Sequence, residues 1–303
     1  MSALLSFGFA LKLGLSCAAV GFSRKTDWRN LAIDFAFAVV SLTAYENLLG
    51  LAYFRDQTLL FVHSAWHVDL SHTIFAAGPW RGLELKLGLP PGALVQALGF
   101  VFFVAVASHT NYWMHRALHV QPFLWRLHKL HHSQNEFTGL SNYRNHPLEV
   151  LFSGYVGALI IAVLCPFTSE YARFYGYFIF CMGVFTHSGI RTNLGPLEWV
   201  LVSPMAHRVH HSLDPRHVDH NYGFAFSVWD RLYGTYVHVD ANEEITLGIR
   251  EYVGLAPLAV LGRSLGEPFV AESSLPRGED LDYAGTATAG LTPDPTKTSA
   301  PSV

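Results

Sequence analysis

Charge is scarce in this chain. Only 14% of its 303 residues are Asp, Glu, Lys or Arg, against about 25% in an ordinary soluble protein. Half are hydrophobic and 14% aromatic, and the mean hydropathy is positive. That balance points to lipid. A net charge of −3 gives no reason to expect nucleic acid. Cysteine is nearly absent: Cys17, Cys165 and Cys181 lie in apolar stretches without paired spacing, which excludes a disulfide framework. There is no CxxC, no HPGG-type haem segment and no Rossmann glycine fingerprint, so nothing in the sequence carries electrons or a nucleotide.

Long apolar stretches cover about 1–22, 31–54, 92–114, 148–167 and 171–187, and a membrane-spanning helix needs roughly 17–25 residues. Residues 1–22 lack a basic residue ahead of their apolar run and carry Lys12 within it. They are read as a span or embedded helix rather than a signal peptide. The segment 55–91, broken by Asp56, Asp69, Pro79, Arg81 and Pro90-Pro91, reads as an interfacial loop with short helices. If five spans alternate, fifteen of the twenty Lys and Arg fall on the side holding the histidine clusters, four fall opposite, and Lys12 lies within a span. The positive-inside rule then makes that side cytoplasmic.

Histidine is what the chain has in excess. There are seventeen, thirteen of them between His109 and His220. H-x-x-H-H occurs twice, as His128/His131/His132 and His207/His210/His211, and His115/His119 is an i, i+4 pair. On a helix, positions three and four apart share a face, so each triplet converges its imidazoles. A lone i, i+4 pair is most often a helix-surface accident. Two triplets beside a membrane, where polar groups are costly unless partnered, point to metal, and imidazole suits iron, zinc, copper and nickel. The two stretches following His132 form a hairpin through Pro166–Glu170 that returns the chain to the same membrane face, so distant clusters can build one site. A helix break is expected before Pro122, a new helix over Trp125–His132, and another near 196–211.

The remaining histidines carry open alternatives. His187 is either an interfacial anchor or a ligand. His146 is a ligand, a ligand-orienting donor or a helix-start residue, while His217 and His220 orient ligands or cap a turn. Surface or packing roles are assigned to His63, His67, His72, His109 and His238. Asn221 joins His146, His217, His220 and Asp230 as a supporting residue, and Asp214, Asp219, Asp230 and Glu149 are candidate acceptors for ligand N–H groups.

The motifs NYWMHRALH, LHKLHHS, YRNHPLE, THSGI, LGPLEWVLVSPMAHRVHHS and NYGFAFSVWDRLYGTY, in that order, resemble the fatty acid hydroxylase/sterol desaturase superfamily of membrane non-haem di-iron enzymes. The resemblance covers about 92–240. It implies an all-α integral membrane protein, a transmembrane helix bundle with a cytoplasmic histidine-rich helical cap. It also implies two iron ions, with zinc able to substitute, and O2-dependent hydroxylation or desaturation of an unactivated C–H bond of a sterol, fatty acyl chain or carotenoid. The ligands it implies are His115, His119, His128, His131, His132, His207, His210 and His211, with His187 matching the family's additional histidine. Many members carry aspartate seven residues before the first histidine, where this chain has Ser108. Electrons are expected from a separate ferredoxin or cytochrome b5-like donor with its reductase. The expected organisation is N-terminal membrane helices and interfacial loop over 1–91, the di-iron domain over 92–240, a cap extension over 241–263 and a disordered tail over 264–303. Two other classes make different demands on the ligands. A histidine-rich metal transporter would place its ligands near the bilayer midplane, and a zinc-dependent membrane hydrolase would need fewer ligands, an open position and a general base.

Overall fold

The computed structural model describes residues 14, 16, 28–47, 78–90, 92–164 and 169–249. The stretch 1–22 apart from two positions, the connection expected at 166–170 as far as residue 168, most of the segment 55–91 and the tail lie outside the described residues. Within them the chain is helical, with two isolated β-bridges and no strand. The helices are α1 (Trp28–Asn47), α2 (Gly78–Leu87), α3 (Ala93–Val120), α4 (Pro122–His132), α5 (Pro147–Leu164), α6 (Ser169–Thr186), α7 (Pro204–His210) and α8 (Val228–Tyr233). Two 3₁₀ turns, Leu140–Tyr143 and Gly195–Trp199, sit between them. Among the described residues one helix, α3, is long and apolar enough to cross a membrane by length and composition.

Local chemistry sets the boundaries of α3. Glu84 of α2 accepts from the backbone N–H of Gly92 and Leu94, each at 2.9 Å, filling orphan donors at the helix start. The helix stops at Gln121, whose extended backbone is what a residue ahead of proline prefers. Pro122 then opens α4, where a missing N–H costs nothing. One stripe of α3 is buried, through Phe103, Ala107, Tyr112, His115 and His119. The spacing of three to five residues keeps these on one side, so the apolar packing stripe runs directly into the histidines. Phe103 and Ala107 pack with Tyr175 of α6.

The helix expected near 196–211 is two elements. Residues 195–199 form a 3₁₀ turn and Ser203 is extended, because Pro204 disfavours helix in the residue before it. Ser203 instead caps α7, accepting from Ala206 N–H at 3.1 Å.

Helix α1 reaches the loop after α4 through a buried ion pair. Asp34 Oδ1 accepts from Arg144 Nε and Nη2, both at 2.6 Å, and Asp34 Oδ2 accepts from Ser141 Oγ at 3.1 Å. The paired charges satisfy each other inside the fold, as buried charges must.

Candidate metal centre

Nine histidines meet at the junction of α3, α4, α6 and α7, and none is more than 8% exposed. They fall into two groups, His115, His119, His128, His132 and His210, and His131, His187, His207 and His211. Within each group one nitrogen per ring lies within 4.8 Å of all the others. The groups adjoin, with the His132 and His211 rings stacked at 4.1 Å between centroids.

Each H-x-x-H-H motif serves both groups. His128 and His132 belong to the larger group while His131 crosses to the smaller; His207 and His211 belong to the smaller while His210 crosses to the larger. Positions i+3 and i+4 flank position i on opposite sides of one helix face, which lets a single motif face two adjoining groups.

The hydrogen bonds of the rings reveal what the clusters are shaped for. His115 Nδ1 donates to the Tyr222 carbonyl at 2.7 Å, and His210 Nδ1 to the His220 carbonyl at 2.9 Å. A carbonyl only accepts, so both Nδ1 atoms carry the proton and both Nε2 atoms present a lone pair. His128 Nδ1 faces Glu149 Oε1 at 2.8 Å, leaving its Nε2 bare in the same way. Yet His115 Nε2 lies 3.1 Å from His128 Nε2 and 3.0 Å from His210 Nε2. In the second group His187 Nδ1 donates to the Gly183 carbonyl at 2.9 Å, and its Nε2 lies 3.2 Å from His131 Nε2 and 3.0 Å from His207 Nε2. Converging lone pairs repel unless a cation lies between them. Two nitrogens each about 2.1 Å from one ion and at right angles stand about 3.0 Å apart. His132 Nε2 and both nitrogens of His211 are buried without a hydrogen-bond partner, and a cation taking one nitrogen of each ring would fill that need. The residues fit two metal ions.

Protonation agrees. Burial, followed by the neighbouring imidazoles, holds His131, His132, His207 and His211 well below the ordinary histidine value. Burial pushes His210 down to about 3. The neutral form is the one that ligates.

The support around the rings differs from the sequence expectation in its details. Among the four candidate carboxylates, Glu149 meets a ring. Asp214 is tied to Arg216 and Asp219 accepts from the Tyr222 hydroxyl. Asp230 accepts from the backbone N–H of Tyr222 and Gly223, each at 2.7 Å, and so fixes the carbonyl that His115 uses. A side chain at Gly223 would collide with Asp230 and the Phe226 carbonyl, so glycine is required there. Burial raises the Asp230 carboxyl to about 6. His220 contributes its backbone carbonyl, and its ring turns back to Val218. His217 bonds Ser212, His146 accepts from Leu148 N–H at the start of α5, and Asn221 pins Ala206 and Val237. These three rings and amides shape the surround without joining either group. His109 packs with Trp113, Trp229 and Tyr233, and His238 faces Glu198. Ser108 accepts from Trp229 Nε1 at 3.0 Å.

Sequence reasoning missed the carbonyls of Tyr222 and Gly183, because a backbone acceptor leaves no mark in residue identity. It also missed Phe137, whose ring covers His187, His207 and His211 at 5.0–5.8 Å.

The family model for fatty acid hydroxylases matches residues 100–235. Alkylglycerol monooxygenase of Xenopus tropicalis is 32% identical over 183 residues, 60% of this chain and 38% of that protein. Ornithine lipid hydroxylase OlsE of Rhizobium tropici is 28% identical, covering 59% of this chain and 53% of that protein. Delta(7)-sterol 5(6)-desaturase erg3B of Aspergillus fumigatus is 30% identical, covering 52% and 45%. The chain thus spans about two fifths to a half of the length of these relatives. No solved structure matches. The matched region holds all nine convergent histidines, and over it the chain is similar to the fatty acid hydroxylase/sterol desaturase superfamily.

Proposed function

We propose that this protein is a membrane-bound, O2-dependent di-iron oxidoreductase that hydroxylates an unactivated C–H bond of a lipid, with desaturation as the second outcome. The observation that carries this reading is the convergence of nine buried histidines into two adjoining groups whose lone pairs face one another. The nine are the proposed ligands. Two bound irons would supply dioxygen activation and attack on carbon; zinc binds such a site well, so zinc in purified protein would not refute iron.

The chain's own residues do the rest. Glu149 and the carbonyls of Tyr222, His220 and Gly183 orient the ligand rings, as metal-bound histidines require. Trp125, Tyr222 and Phe137, all buried against the cluster, exclude water from it. No general base is assigned. Hydroxylation with O2 places one oxygen atom in product and the other in water and consumes two electrons and two protons. A separate ferredoxin or cytochrome b5-like protein with its reductase is the proposed donor.

We place α3 across the bilayer, with 31–54, 148–167 and 171–187 as further spans, the histidine clusters at their cytoplasmic ends and 92–240 as the catalytic domain. The relatives oxidise lipids by name: an alkylglycerol, an ornithine lipid, a sterol. They favour lipid oxidation over metal transport or zinc-dependent hydrolysis. Lipid profiling of a deletion strain identifies the substrate, and ¹⁸O2 labelling tests the chemistry. One ¹⁸O per hydroxylated product is expected. Metal flux in vesicles without oxidised lipid would overturn the reading.

A further inference from the structure

Six exposed apolar side chains gather on two neighbouring segments. Leu197 and Trp199 lie in the second 3₁₀ turn with Val200 just after it, and Val228, Leu232 and Tyr233 lie on α8, with Trp199 67% and Leu232 66% exposed. The two segments are fastened together. Ser227 N–H donates to the Val200 carbonyl and Val202 N–H to the Ala225 carbonyl, each at 2.9 Å, and the Arg231 guanidinium covers the Trp199 ring at 4.3 Å. A soluble surface rarely gathers so many apolar groups without a partner.

Helix α3 fixes the height of this surface. Trp229 Nε1 donates to Ser108, Tyr233 bonds His109 at 2.7 Å, and the Tyr233 ring stacks on Tyr112 at 5.1 Å. A helix of 28 residues is about 42 Å long, and the hydrocarbon core is about 30 Å thick. The excess of about 12 Å is roughly the eight residues from Trp113 to Val120, the turns that carry His115 and His119. Residues 108–113, and the α8 segment bonded to them, therefore stand at the edge of the hydrocarbon. Trp113, Trp199 and Tyr233 are the residue types that collect at that edge, and Arg116 lies over the Trp113 ring at 5.2 Å.

We propose that Leu197–Val200 and Val228–Tyr233 form a lipid-facing wedge, a second contact with the leaflet that α3 enters, seated at the boundary between headgroups and acyl chains. The inference rests on reading α3 as a span. The bilayer is favoured over a protein partner because the surface is continuous with α3 and because its cation, Arg231, is already engaged by the Glu198 carbonyl.

The test uses the full chain in phospholipid nanodiscs, with its native cysteines replaced and one nitroxide label per protein, introduced through Trp199→Cys, Leu232→Cys, Val101→Cys or Arg216→Cys. Accessibility to dissolved oxygen and to a water-soluble nickel complex is read at each. Labels at 199 and 232 should be oxygen-rich and nickel-poor relative to 216, and shallower than 101. If 199 and 232 match 216 while 101 reads deep, the wedge is wrong and the span stands. If 101 also reads aqueous, the span fails with it. Exclusion of both reagents at 199 and 232 would mean a protein interface and would overturn the lipid assignment.

Discussion

In the five-histidine half, His115, His128 and His210 each have their far nitrogen on an acceptor, one of them a carboxylate. In the four-histidine half His187 is held by a carbonyl, whereas His131 and His207 have Nδ1 unmatched and His211 has neither nitrogen matched. Both halves are walled by aromatic rings, Trp125 and Tyr222 on the first and Phe137 on the second, but the first is braced by more polar groups. Polar bracing fixes ring direction and raises ligand basicity; an aromatic wall fixes position and keeps water out. The five-histidine half should therefore bind its ion more tightly and fill first.

The comparison can be broken most directly by removing a ligand from each half. His210→Ala and His131→Ala should each lower turnover to background and leave roughly half the metal per chain, with membrane insertion intact. Full activity in both would remove the di-metal assignment. Phe137→Ala takes away the wall and should cost about 3–5 kcal/mol of stability, seen as a lower thermal midpoint. A chelator should then strip the four-histidine half first; equal loss from both halves would contradict the assignment. Glu149→Gln should weaken binding in the five-histidine half by about 10–100-fold and leave the other half unchanged in a competition titration. The smallest effect is expected at Asp230, which holds the Tyr222 carbonyl in place. Burial raises its carboxyl from 3.8 to about 6, so the folded protein holds this proton more firmly than the unfolded chain. The stabilisation is full below about pH 3.8 and is lost as pH rises through about 6. Metal-free wild type should thus lose stability relative to Asp230→Asn across that window, and a flat difference would show that Asp230 does not titrate there.

Much of the centre is legible in residue identity because ligation needs a particular side chain at a particular spacing. His115/His119, both triplets and His187 converge as side chains, and the helix break at Pro122 follows from backbone sterics. The division of each triplet between two groups was not legible, since spacing gives a face but not its opposite neighbour. Nor was the break at Ser203, where Pro204 converts an apolar stretch into a capped short helix. The supporting layer was read least well. Of the candidate carboxylates, Glu149 touches a ligand ring, and the others act on backbone, on arginine or on a tyrosine hydroxyl. Asp34 lies more than a hundred residues from Arg144, and nothing local pairs them.

The crossing of His131 and His210 to opposite groups has a consequence for how this protein is assembled and repaired. Each cation draws rings from both α4 and α7, so the first ion to bind, in the five-histidine half, also draws the two helices together around the second place. A cell short of iron would then hold chains filled in that half and waiting in the other.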